Sequence, residues 1–131
     1  MKSFRKIIRL NLAVVIALSF SLLAKGNNNN LENSENSLLS AIESNNIGLT
    51  ISSIQILGEL NSVSAVLPLM KILHESECEE ARIAASLSLY KICDKRGIFA
   101  VKMAAKYDNS ERVRNMCSKF YTQYLLDNKI T

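Results

Sequence analysis

Residues 79–108 read EEARIAASLSLYKICDKRGIFAVKMAAKYD. The stretch divides into two amphipathic segments around a break at Lys95-Arg96-Gly97, where the apolar spacing is interrupted. Shifted by 32 positions in either direction, the same pattern returns without a gap. Its register runs Thr50/Arg82/Arg114, Ser53/Ala85/Cys117, Leu57/Leu89/Tyr121 and Leu60/Ile92/Tyr124, then Leu67/Phe99, Leu69/Val101 and Leu73/Ala105. Self-similarity of that length marks stacked helical hairpins, in which neighbouring units bury what one unit cannot bury alone. The expected fold is all-α: a short α-solenoid of helical hairpins with period 32.

Working outward, Ser76-Glu77-Cys78-Glu79 has the S-x-x-E form of a capping box opening the helix that contains Arg82. That helix is apolar over a wide arc (Ile83, Ala84, Leu87, Leu89, Tyr90, Ile92), as suits an element with neighbours on several sides. Its partner is expected over Ile98–Lys106, with Phe99, Val101, Ala104 and Ala105 inward and Lys102 and Lys106 outward. Upstream, Asn45–Leu60 carries Ile47, Ile51, Ile54, Leu57 and Leu60 at helical spacing, and Gly58 permits a close neighbour. Asn61-Ser62 breaks that helix. Ser64–His74 follows, with Pro68 in its first turn, where no intrahelical donor is lost. Downstream, Asp108-Asn109-Ser110 is a turn and N-cap, and Glu111–Leu126 has one apolar stripe and one polar face, the pattern of a terminal cap. Ser37–Ser44 is a short amphipathic helix suited to cover the other end.

The chain begins MKSFRKIIR, followed by Leu12–Ala24, an apolar-and-serine run of thirteen residues. That is short of the roughly 20 residues that span a bilayer. A basic start, a short apolar run and small residues at Ala24 and Gly26 fit a secretory signal peptide over 1–26, cleaved after Gly26. An uncleaved membrane anchor and an N-terminal core helix are the alternatives. Residues 27–36, with six asparagines in ten, are expected to be a polar linker. The helical repeat domain then occupies 37–131.

The formal charge of +4 is misleading. Lys2, Arg5, Lys6, Arg9 and Lys25 lie in the targeting segment, so eleven basic residues remain against twelve acidic ones. The remainder lacks the basic excess of a nucleic-acid binder. Cys78, Cys93 and Cys117 form neither a CxxC nor a Cys/His cluster. Cys78 and Cys93, on one expected helix, stand roughly 22 Å apart at about 1.5 Å per residue, beyond disulfide reach. Three free thiols are expected, which sits awkwardly with export.

From Asn45 to Leu126 the chain resembles the HEAT-repeat superfamily, in the short-repeat form also seen in phycobilisome-lyase-type proteins. The resemblance rests on the Arg-x-x-Ala of Arg82–Ala85 followed by Leu89 and Ile92, and on ILGELNSVSAVLPLMKIL (Ile56–Leu73). Thr50 departs from it where Arg is usual, Cys117 and Ser53 where Ala is usual. The resemblance implies a binding scaffold whose second helices line the concave side. On that side Lys71, Lys102 and Lys106 would favour an acidic partner surface. It also implies that Arg82 and Arg114 are ladder residues pairing with acidic groups such as Glu80 and Asp108.

Among chemically capable residues, His74 has no second metal ligand or nucleophile at a useful spacing. Cys93 and Cys117 read as core thiols. Cys78 lies near a helix N-terminus, which lowers a thiol pKa, but beside glutamates that oppose the effect. Tyr90, Phe120, Tyr121 and Tyr124 gather aromatics toward the C-terminus. There Tyr121 and Tyr124 are candidates for a protein interface. No enzyme, cofactor or metal site is expected. The expected role is a protein-interaction scaffold or adaptor of a bacterial envelope, periplasmic or secreted, touching membrane only through an uncleaved signal segment. A self-associating structural module and an accessory lyase-like or thiol-based activity are its competitors.

Overall fold

A computed structural model describes residues 29–129, and every regular element among them is helical. They fall into two units, one ending at Ser34 and one running from Glu35. Residues 29–41 are helical (α1). Then come α2 (Ile47–Glu59), a 3-10 turn (Val63–Ala65), α3 (Val66–Glu75), α4 (Glu79–Ile92), α5 (Lys95–Tyr107) and α6 (Glu111–Asp127). The expected signal segment lies outside the described residues. Residues 29–36, within the expected polar linker, are helical. Polarity argues against burial rather than against helix, and these positions do stay largely exposed. Ser34 and Ser40 turn their hydroxyls back onto the carbonyls of Asn30 and Asn36, within the helix.

Helices α2, α4 and α6 start at Ile47, Glu79 and Glu111, at intervals of 32 residues. They form one layer, and α3 and α5 form a second. Helix α4 is central and touches α2, α3, α5 and α6. Its buried residues are mostly small (Ala81, Ala84, Ala85, Ser86, Ser88), which lets four neighbours close on it. Larger side chains fill the core from around it, where Ile54, Leu57, Val66, Leu69, Val101 and Val113 are fully buried, and α4 adds its own Leu89. Each buried aliphatic contributes roughly 1.5–3 kcal/mol. Ile47 and Leu60, at the two ends of the apolar face expected on α2, are about half exposed instead; the inward face there is completed by Thr50, Ser53 and Gly58.

Gly58 marks the closest approach of two helices. A Cβ there would lie 2.5 Å from Ser88 Oγ and 2.9 Å from Ser88 Cα. Ser88 uses its buried hydroxyl to donate to the Ile54 carbonyl at 2.8 Å, so α2 and α4 are also joined by a hydrogen bond.

The hairpin turns differ from expectation in one place. Asn61 ends α2 with φ 51°, as the Asn61-Ser62 break predicts. The equivalent break, however, falls at Cys93-Asp94 rather than at Lys95-Arg96-Gly97. Cys93 adopts φ 60°, and Asp94 caps α5 by accepting from the Arg96 N–H at 2.9 Å. Gly97 is a packing glycine inside α5, where a Cβ would meet Leu89 Cδ2 at 2.8 Å. Helix α5 therefore starts three residues earlier than Ile98.

The capping box is also replaced. The N-cap of α4 is Cys78, whose side chain makes no capping bond, while Ser76 accepts from the Cys78 N–H at 3.2 Å. The equivalent residues Asn46 and Ser110 do cap, accepting from Leu49 and Val113 N–H. Ser76 lies two positions before that N-cap, and its carbonyl accepts from Arg82.

Candidate interaction site

Arg82 fixes the loops at one end of the second layer. It is only 6% exposed. Its Nη1 donates to the Ser76 carbonyl (2.7 Å) at the end of α3. Nε and Nη2 grip the Asp108 carboxylate at 3.1 Å each, at the end of α5, and Nη2 reaches Asn109 Oδ1 at 3.0 Å. A planar fork on a carboxylate is the geometry guanidinium serves best. Arg114 repeats part of this, donating to the Asp108 carbonyl at 2.6 Å, and Thr50 donates to the Ser44 carbonyl at 3.2 Å. Arg82 thus takes Asp108 as its expected partner. Glu80 instead pairs with exposed Arg112 at 2.6 Å, which holds its carboxyl below the usual glutamate range.

Because Arg82 ties both loops, the C-terminal ends of α3 and α5 come together and the two helices lie side by side. Between them runs a groove of about 1270 Å³. Leu67, Met70 and Lys71 line it from α3, and Phe99, Met103 and Tyr107 from α5. Leu67 is 60% exposed, Phe99 58% and Tyr107 70%. Scattered exposed apolar residues are ordinary, but large ones aligned in one concavity mark an interaction surface. Small-molecule pockets run to about 300–1,000 Å³ and enclose their ligand. This open groove is larger and suits a segment of polypeptide.

The expected partner-binding residues scatter. Lys71 lines the groove, but Lys102 and Lys106 do not. Lys102 places Nζ over the Tyr121 ring, 5.6 Å from its centroid, and Lys106 lies over Tyr107 at 5.5 Å. Their register one position off the Phe99–Met103–Tyr107 line turns them out of the groove. Tyr121 and Tyr124 are half-buried and stacked, centroids 6.3 Å apart, on α6 and away from the groove. Tyr90 stacks on Phe120 and donates to Asp127 at 2.6 Å, which holds the Asp127 carboxyl low.

Phe99, expected inward, is exposed; its i, i+4, i+8 alignment with Met103 and Tyr107 was the signal available in the sequence. Cys93, expected in the core, is exposed because it forms the left-handed turn, whereas Cys117 is buried and its thiol is pushed up by burial. Cys78 is intermediate, with Sγ 3.5 Å from Glu80 Oε2. Among the described residues, no group of three or more His, Cys, Asp or Glu is arranged to hold a metal ion, and no helix is long and apolar enough to cross a membrane.

Helical hairpins layered around a small-residue helix, tied by a buried arginine, define a helical-repeat protein. The family model for HEAT repeats matches residues 35–118, and the chain belongs to that family. No curated protein and no solved structure gives a significant match. HEAT repeats in general mediate protein–protein interaction and are typically non-catalytic.

Proposed function

We propose that this chain is a non-catalytic scaffold or adaptor of a bacterial cell envelope, a short α-solenoid of period 32 that holds a partner protein in the groove between α3 and α5. The observation that carries the reading is the exposure of Leu67, Phe99 and Tyr107 along a single concavity. Leu49, Ile56, Leu60 and Val63 make a second exposed apolar row beside α2, but they line no comparable concavity among the described residues. The basic start and short apolar run of residues 1–26 support export, with cleavage after Gly26 giving a mature start at Asn27.

The test is to express the full chain with a C-terminal tag, crosslink the envelope fraction lightly and identify companions by mass spectrometry. The same is done with L67S/F99S, whose substituted side chains are exposed and leave the core intact. A mature start at Asn27 and one stoichiometric companion, lost in the variant, is the expected result. A companion retained by the variant overturns the groove, and an uncleaved chain in the cytosol overturns the localisation.

A further inference from the structure

We infer that the segment held between α3 and α5 is amphipathic and basic, with its apolar side chains on Leu67, Phe99 and Tyr107 and its cationic end at the loop following α3. This rests on the groove reading above and reverses the charge that the sequence suggests for the partner. Among the described residues Lys71 is the lysine that lines the groove; Lys102 is turned away, and Lys106 stands at its edge over the Tyr107 ring. At the end fixed by Arg82 stand Glu75, Glu77 and Glu79. Arg82 and Asp108, also at that end, neutralise each other. Glu79 has Arg112 3.8 Å away, whereas Glu75 and Glu77 are exposed carboxylates with no cation within ion-pair distance among the described residues. The same end receives the C-termini of α3 and α5 and the N-termini of α4 and α6, so the helix dipoles offset one another there and the carboxylates set its charge.

The groove therefore has a direction. It is apolar from Leu67 and Phe99 through Met70 and Met103, and turns acidic beyond Tyr107. An acidic segment would set its carboxylates against Glu75 and Glu77. A wholly apolar one would leave them without a counter-charge, and a basic one complements them. The ten residues of α3 give a track of roughly 15 Å at about 1.5 Å per residue. A segment of about three helical turns covers it.

Two fluorescein-labelled peptides of about twelve residues test this against the full chain by fluorescence anisotropy. Both carry leucines at i, i+4 and i+7; one ends in three lysines, the other in three glutamates. The lysine peptide is expected to bind saturably and to weaken with added salt. Its affinity should fall about tenfold or more in E75K/E77K and be lost in L67S/F99S, with circular dichroism confirming that both variants remain folded. If the glutamate peptide binds as well or better, and L67S/F99S abolishes that binding, the groove stands and the basic partner is wrong. Lysine-peptide binding unchanged in E75K/E77K also overturns the inference. If neither peptide binds, or both bind L67S/F99S undiminished, the groove reading falls with it.

Discussion

Arg82→Met removes the guanidinium while keeping most of the stem in place. Asp108, its side chain 8% exposed, then loses the ion-pair partner its carboxylate has among the described residues, and the Ser76 carbonyl loses its 2.7 Å donor. Removing one partner of a buried pair costs about 3–5 kcal/mol, since the other charge stays buried without compensation. Asp108 keeps the Ser110 N–H at 2.9 Å, which places the cost at the lower end, about 3 kcal/mol. Domains of this size hold about 5–15 kcal/mol in total. At about 4–8 °C per kcal/mol, the thermal midpoint should fall by roughly 12 °C or more. Urea unfolding followed by far-UV circular dichroism measures the loss. Combining R82M with D108N should cost about 1–3 kcal/mol less than the two single losses added together, because the two changes break one interaction. A loss below about 1 kcal/mol for R82M, or strict additivity in the double variant, would refute the claim that this pair holds the loops.

The remaining predictions concern packing, capping, thiols and pH. Gly58→Ala should destabilise by about 1–3 kcal/mol despite alanine's better helix propensity, because its Cβ meets the Ser88 backbone; Gly97→Ala should cost less, since its nearest obstruction is the Leu89 side chain. Urea midpoints rank the two. Cys78→Ser should stabilise by about 0.5–1 kcal/mol by supplying the capping oxygen that α4 lacks, read as a raised thermal midpoint. Under native conditions an alkylating reagent followed by mass spectrometry should modify Cys93 first and Cys117 only on unfolding, because Cys117 is buried and its pKa is raised. Glu80, Asp94 and Asp127 all have folded-state pKa values below their ordinary ones. Their contribution is therefore present above the ordinary carboxylate range and lost as pH falls through the folded values. Glu80 and Asp127 are solvent-exposed and Asp94 is partly so, so an acid titration of stability should show only a shallow loss that salt flattens further.

Much of the fold was legible because apolar spacing and repeat register are local. Asn61-Ser62, Ser110 and the Leu57–Leu89 core positions fall where the pattern puts them. The misreadings came from residues whose role is set by a neighbour. Gly97 has the look of a turn glycine, yet it is needed for contact with Leu89, and the turn is made by Cys93 in a conformation that cysteine seldom adopts. Ser76 has the spacing of a cap, yet Arg82 engages its carbonyl. The site was less legible. Charge drew attention to Lys102 and Lys106, but a difference of one position on α5 separates a groove-facing Met103 from an outward Lys102. Phe99 is apolar and reads as core. Only the tertiary arrangement shows that no helix covers that face among the described residues.

Site-specific photo-crosslinking tests the central claim most directly. A photoreactive phenylalanine analogue is placed at Phe99 in the groove and, separately, at Lys119 on the exposed polar face of α6. After irradiation of intact cells, the account predicts one discrete protein adduct from position 99 and none from position 119. Equal adducts from both positions, or an adduct from position 119 alone, would contradict the assignment of the α3–α5 groove as the interaction surface.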